Sequence, residues 1–197
     1  MSTIAPTQPT SQPDPSASPA VYRFTVDEYE RMVLDDPRVE LIDGYVVRKM
    51  GKNPPHSWAT KAVLKALVAL LPPGWTWRLE QPVRIPEYDE PEPDAAIVRG
   101  SDDDYKHRTP GPADIGLLVE VSETTLDRDR GKKLLAYAQG GIPVYWIVNL
   151  VDRQVEVYTG PGPGGYRSRV DFPPGRQIPV VIDGRPLGQV AVDDILP

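Results

Sequence analysis

The side chains best equipped for chemistry fall in three short stretches: Glu92-Pro93-Asp94, the apolar run Ile115 to Val121 that carries Glu120, and the basic segment around Lys132 and Lys133. Two carboxylates brought together from separate strands can hold one hard divalent ion, and a nearby lysine can steady a phosphate or a hydroxide beside it. That combination suits nuclease chemistry. Glu120 carries the strongest local argument, because a carboxylate inside Ile-Gly-Leu-Leu-Val-Glu-Val is costly to bury without a cation, a metal or a proton. A salt bridge to an arginine, or a place at the strand's exposed end, would also satisfy it. Asp94 tips the balance: it opens a strand and Glu120 closes one, so antiparallel pairing would bring both carboxylates to the same sheet edge. The competing reading of Asp94 is a solvated residue of the acidic loop that starts at Glu87.

The elements that must position these groups can be traced along the chain. Thr25 with Glu28 three residues later forms a capping box, and opens a short helix through Val26, Tyr29, Met32 and Val33. Val39 to Ile42, Asp43-Gly44 and Tyr45 to Val47 read as a hairpin with a type I′ turn, with Glu40 on its first strand. From His56 to Leu71 the apolar positions recur at helical spacing until Pro72-Pro73-Gly74. Trp75 to Leu79, Val83 to Ile85 and Ala95 to Val98 read as strands, and Arg99 to Asp114 as a loop. Ile115 to Val121 is apolar enough for a central strand covered on both faces. A helix from about Thr125 to Gln139 and the strand Val144 to Val148 then imply a right-handed crossover and a parallel pair.

On that helix, Leu134, Leu135 and Ala138 are the expected buried face. Lys132 and Lys133 both flank it, so periodicity does not choose between them. Arg128, Arg130, Lys132 and Lys133 are expected to form a positive patch suited to phosphates. The C-terminal segments Val155 to Tyr158, Tyr166 to Val170 and Ile178 to Ile182 read as a β extension of the same domain.

Composition narrows the function classes. A chain of 197 residues, 40% hydrophobic and 25% charged, supports one domain with a sizeable core. Met1 to Ala20, built from Pro, Ser, Thr, Gln and Ala, reads as a disordered tail, which leaves 21–197 as the ordered domain. The absence of cysteine excludes disulfides and thiolate-held zinc and fits a reducing cytoplasm, and His56 and His107 are too few for imidazole zinc chemistry. Any metal is therefore expected on oxygen ligands, with Mg²⁺ or Mn²⁺ as the natural ions. No apolar run approaches the length of a membrane span, and the N-terminal residues lack the basic start and apolar stretch of a signal peptide, so a soluble protein that is not exported is expected. A net charge of -6 argues against a DNA-coating protein, but a local basic face and bound metal are compatible with a nuclease.

The order of several motifs carries a resemblance. Glu40-Leu41-Ile42-Asp43-Gly44, His56 at a helix start, Glu92-Pro93-Asp94, Val119-Glu120-Val121-Ser122, Asp129-Arg130 with Lys133 and Tyr137, and Gly141 to Val148 resemble the Uma-type restriction endonuclease family of the PD-(D/E)XK nuclease superfamily. The likeness runs from about Tyr22 to Asn149. It implies an α/β restriction-endonuclease-like core with a central mixed β-sheet flanked by helices. It also implies Asp94 and Glu120 as metal ligands, Glu40 as an outer acidic member, and Lys133 as the catalytic lysine. The implied activity is Mg²⁺- or Mn²⁺-dependent hydrolysis of DNA phosphodiesters; nucleases that cut both strands are often dimers, so a homodimer is one expected assembly.

One departure stands out. The superfamily's usual lysine lies two residues after the glutamate, where this chain has Ser122. The alternative reading is therefore a non-catalytic binding or assembly module on a degenerate nuclease fold. His56 could carry a proton, although a helix-end or packing role is the expected one. A Ser122-His56 hydrolase pair lacks a G-x-S-x-G elbow. Asp102-Asp103-Asp104 lacks EF-hand spacing and reads as a solvated acidic loop.

Overall fold

Continuous apolar stretches make the centre of the molecule. In the computed structural model, which describes residues 21–32, 36 and 38–197, β4 (Ala95–Arg99) and β5 (Ile115–Ser122) pair antiparallel, and β5 is buried along its whole length. The expected tail over Met1 to Ala20, and Val33, lie outside the described residues. Strands β3 (Trp75–Leu79), β6 (Val144–Asn149), β7 (Gln154–Thr159) and β8 (Ser168–Phe172) complete a six-stranded sheet of order β3-β4-β5-β6-β7-β8. Every neighbouring pair is antiparallel except β5 and β6, which run parallel from Leu118 opposite Tyr145 to Ser122 opposite Asn149. The sheet is mixed, as the segment order anticipates.

The period of two along β4 and β5 sorts their side chains onto two faces. Ala95, Ile97, Leu117, Val119 and Val121 join a core with α2 (Pro54–Val68) and with the hairpin of β9 (Gln177–Ile182) and β10 (Arg185–Ala191). Ala96, Val98, Ile115 and Leu118 join a second core with Tyr137, Ile142, Tyr145 and Tyr158 on the opposite face. Asp94 and Glu120 have the parity of Ala96 and Leu118, so they continue this second stripe past its apolar end.

The N-terminal capping box forms, with Thr25 N donating to Glu28 Oε2 at 2.8 Å, and it opens α1 (Val26–Tyr29). The hairpin of β1 (Val39–Ile42) and β2 (Tyr45–Arg48) turns at Asp43 and Gly44 with φ of 53° and 77°. A type I′ turn requires this left-handed backbone at both central positions.

Several expectations need correction. Val83 and Ile85 are buried but form no strand: Ile85 makes only an isolated bridge to Asp89. Pro82, Pro86, Pro91 and Pro93 remove the backbone donors that a ladder there would need. Helix α2 begins two residues earlier than the periodicity suggests, because Pro54 and Pro55 fit the first turn behind an Asn53 cap. It ends at Val68, before the Pro72-Pro73-Gly74 stop. Strand β8 lies two residues later than expected, and β10 was not anticipated because Pro186 and Gly188 interrupt its pattern; a bulge between them absorbs the irregularity.

The helix after β5 is also not uniform. It consists of α3 (Leu126–Arg128), a π turn at Asp129–Lys133, and α4 (Leu134–Gln139). The wider turn shifts the helical phase, so Ala136, Tyr137 and Ala138 face the core while Leu135 is exposed. The buried face expected from an unbroken α-helix is therefore displaced.

Candidate active site

The β4–β5 register decides the geometry of the site. Ala95 pairs with Val119, and extending the ladder by one step sets Asp94 opposite Glu120 with both side chains on the same face. Each carboxylate is nearly buried, and each has a different set of partners. Asp94 Oδ2 accepts from the Val121 N–H at 2.8 Å and lies 3.2 Å from His56 Nε2. Its Oδ1 is held by Lys52 Nζ at 3.0 Å. Glu120 uses only Oε1, which accepts from Lys133 Nζ at 2.9 Å and from the Tyr137 hydroxyl at 2.7 Å. Among the described residues, no group donates to Glu120 Oε2.

Lys133 and Tyr137 are one helical turn apart, which is why both reach the same oxygen. Lys133 also lies 3.1 Å from Glu40 Oε2, on β1, so one buried ammonium joins the hairpin to the central strand. Glu40 further accepts from the Glu92 N–H at 3.1 Å and faces Arg128 at 3.4 Å. Glu40, Asp94, Glu120 and Lys133 thus line one cleft of about 460 Å³, together with His56 and Lys52.

The sequence of these strands and turns matches the family model "Uma2: Putative restriction endonuclease" over residues 26–184. The chain belongs to the Uma2 family. A crystal structure described as that of "a putative nuclease belonging to DUF820" from Anabaena variabilis is similar over 87% of this chain and 97% of that one, with a TM-score of 0.70 at 16% identity. This likeness supports the nuclease-like fold. No curated protein matches the sequence.

Electrostatics in this Uma2 site follow from burial. Burial pushes the Glu120 carboxyl up to about 8; Lys133 opposes the rise, while Asp129, Asp94 and Glu40 add to it. Burial also works against the Lys133 ammonium, but the charges of Glu120, Glu40 and Asp129 outweigh it and hold this lysine above its ordinary range. The two directions agree physically: the carboxylates around Lys133 outnumber the cation, so the lysine stays charged and Glu120 is the carboxyl most inclined to hold a proton. Asp94 behaves differently. Burial opposes its ionisation, but His56, Lys52 and the Val121 N–H hold it below the usual carboxylate range.

Ser122 lies two residues after Glu120 on β5, and its surroundings explain what it does there. The side chain is fully buried and donates to Asp129 Oδ2 at 2.7 Å; Thr125 donates to the same oxygen at 2.6 Å. The Tyr145 hydroxyl donates to the Asp129 carbonyl at 3.1 Å. These bonds anchor the π turn that carries Lys133. Ser122 makes no bond to His56, which removes the hydrolase pairing from consideration.

The other basic residues of the segment do not form the expected patch. Arg128 turns to Glu40, Arg130 to Glu156 and Asp152, and Lys132 reaches Asp43 at 3.7 Å and the face of Tyr45. Helical spacing disperses their side chains, and each finds a separate carboxylate. His56 also departs from the expected packing role, since its ring enters the cleft from the first turn of α2. The acidic loop is accounted for locally: Asp102 accepts from Thr76, Asp104 caps Ser101 and Asp103 pairs with Lys106.

Lys52 has no signal in the sequence, because it sits in an irregular segment between β2 and α2. The same holds for Asn53, which both caps α2 and bonds Glu123 across the cleft. No three His, Asp or Glu side chains among the described residues converge closely enough to enclose a metal by themselves. Of the four oxygens of Asp94 and Glu120, Glu120 Oε2 has no donor among the described residues, and Asp94 Oδ1 is held by Lys52 alone; carboxylate oxygens of this kind suit a hard divalent cation that keeps several waters. No helix among the described residues is long and apolar enough to cross a membrane.

Proposed function

We propose that this protein is a divalent-metal-dependent endonuclease that hydrolyses phosphodiester bonds of DNA. The observation that carries this reading is the pairing of Asp94 with Glu120 across β4 and β5, with Glu120 Oε2 left without a protein partner at the cleft. This oxygen opens onto the cleft, where a cation from solution can take the place of a protein donor. Asp94 and Glu120 would hold Mg²⁺ or Mn²⁺, which when bound acidifies water and neutralises charge gathering on a phosphate.

The remaining residues support that arrangement. Lys133 and Tyr137 fix the Glu120 rotamer by occupying Oε1, so the free oxygen is aimed and not mobile. Glu40 gives Lys133 a second partner and keeps its charge beside the site. We place Glu40, Asp94, Glu120 and Lys133 together in the site, with Asp94 and Glu120 as the metal ligands and Lys133 and Glu40 positioning Glu120. In the reaction, a water oxygen bonds to phosphorus as the bond from phosphorus to the leaving oxygen breaks. The water's protons are shared between solvent and the departing alkoxide, leaving a phosphate monoester on one end and a hydroxyl on the other. Arg38, Lys49 and Arg128 also line the cleft, each paired with a carboxylate, Asp36, Glu92 and Glu40 respectively.

The test is conversion of supercoiled plasmid DNA to nicked and linear forms in Mg²⁺ or Mn²⁺, by the parent and by Glu120→Gln. Cleavage by the parent that is lost in the variant supports the reading. Metal binding without cleavage under any ionic condition would favour the non-catalytic module instead.

A further inference from the structure

Of the three lysines that line the cleft, Lys49 is paired with Glu92, and the one on Asp94 has the freedom to serve a substrate. Lys133 is almost fully enclosed, and two of its three N–H groups are committed to Glu120 and Glu40. Withdrawing it toward a ligand would strand two buried carboxylates, a strongly destabilising change. Lys52 is about one third exposed at 34% and lies in an irregular segment at the cleft wall. Its ammonium bridges Asp94 Oδ1 at 3.0 Å and Glu80 Oε1 at 2.7 Å.

The two oxygens of Asp94 are not equivalent. Oδ2 is committed to the Val121 N–H and to His56, whereas Oδ1 is held only by Lys52. Oδ1 is therefore the oxygen that a cation from solution can take, and Lys52 is the group it must replace. We propose that Lys52 is the phosphate-contacting lysine of this site: it neutralises Asp94 until a divalent cation displaces it, and Glu80 then retains it at the cleft wall facing the DNA backbone. This rests on the metal-dependent reading given above. A lysine ammonium is a compact point charge on a flexible stem, which suits a non-bridging phosphate oxygen. The exchange also explains how the site stays neutralised before metal and substrate arrive.

The experiment compares the parent chain, Lys52→Met and Lys52→Arg in two measurements. Calorimetry gives Mn²⁺ affinity, and binding of a short DNA duplex in Ca²⁺ across a salt series gives the number of phosphate contacts. Lys52→Met is expected to bind Mn²⁺ about tenfold more tightly, since the competing ammonium is gone. It is also expected to bind DNA more weakly, with a salt dependence shallower by about one contact, and Lys52→Arg is expected to restore the slope. A purely structural role for Lys52 would not change that slope.

If Mn²⁺ affinity and salt slope both match the parent, the proposal is overturned. Tighter Mn²⁺ binding with an unchanged slope overturns the phosphate contact. A parent that takes up no Mn²⁺ overturns the metal-dependent reading itself, and the exchange with it; a parent that binds through Asp94 while Lys52→Met behaves identically overturns only the role of Lys52.

Discussion

Replacing Asp94 by asparagine separates its two oxygens by function. The amide oxygen of the new side chain can still accept from the Val121 N–H, which the aspartate holds at 2.8 Å, so the ladder end is preserved. The ion pair with Lys52 is lost, but that ammonium is partly exposed and retains Glu80 at 2.7 Å. Loss of such a pair costs about 1 kcal/mol or less. In a domain of this size that corresponds to a fall in Tm of roughly 2–4 °C. Metal should change the comparison. A ligand at a hundred times its Kd stabilises the folded state by about 2.7 kcal/mol, or roughly 5–10 °C. Calorimetric melting across a Mn²⁺ titration near neutral pH is therefore expected to show a rise of that size in the parent and little in Asp94→Asn. An equal rise in both proteins would show that the ion binds elsewhere, and would refute Asp94 as a ligand.

Three further outcomes follow from the same geometry. Lys133→Met leaves Glu40 and Glu120 buried without their shared cation and is expected to destabilise the metal-free protein by about 3–5 kcal/mol; Mn²⁺ should recover part of the loss in Tm, and a change of only a degree or two would contradict the buried arrangement. Burial pushes the Glu90 carboxyl up to about 7, Glu30 adds to the rise and Arg84 opposes it. Because the folded value lies above the unfolded one, the protonated form stabilises the fold fully below about pH 4.5, and this contribution is lost as pH rises through about 7. Glu90→Gln should then match the parent in unfolding free energy from urea titration near about pH 4 and exceed it by about 1–2 kcal/mol above about pH 7, after allowance for nearby water. A Cβ at Gly131, in the π turn, would meet nothing within 4 Å, so Gly131→Ala should be neutral or stabilising by up to about 1 kcal/mol with an unchanged Mn²⁺ response. Deleting Gly131 should instead abolish that response, because it rotates either Asp129 or Lys133 by about 100° about the helix axis.

What the sequence revealed of this site depended on whether the controlling interaction was periodic. Strand parity and the Asp-Gly turn were legible, because both arise from neighbours one or two residues apart; they place Glu40 on β1 and Asp94 opposite Glu120. The choice between Lys132 and Lys133 was not legible from helical spacing, since the π turn at Asp129–Lys133 changes the phase of everything after it. That turn is anchored by the local Thr125 and by Ser122 and Tyr145, which the folded sheet brings to it. His56 was misread for a similar reason. Its position at a helix start is local, whereas its approach to Asp94 depends on how α2 docks. Lys52 had no pattern at all, and only its two carboxylate partners distinguish it from a solvated lysine.

The displaced lysine is best understood as part of a larger substitution. With Ser122 in place of a lysine, the face of β5 beyond Glu120 carries a small neutral donor, and that donor is used to hold Asp129 beneath the helix. Asp129 in turn fixes the turn from which Lys133 returns to Glu120 Oε1. The positive charge thus reaches the glutamate from the covering helix, along a path that requires Ser122 to be small. Moving the charge this way also encloses it, because Glu40 of the hairpin closes over the same ammonium at 3.1 Å. An enclosed lysine can orient Glu120 but is poorly free to follow a substrate through a reaction. The cleft answers that restriction with a second lysine from a different segment, exposed enough to move and tethered by Glu80. In the proposed reading, orientation of Glu120 and contact with the phosphate are divided between Lys133 and Lys52.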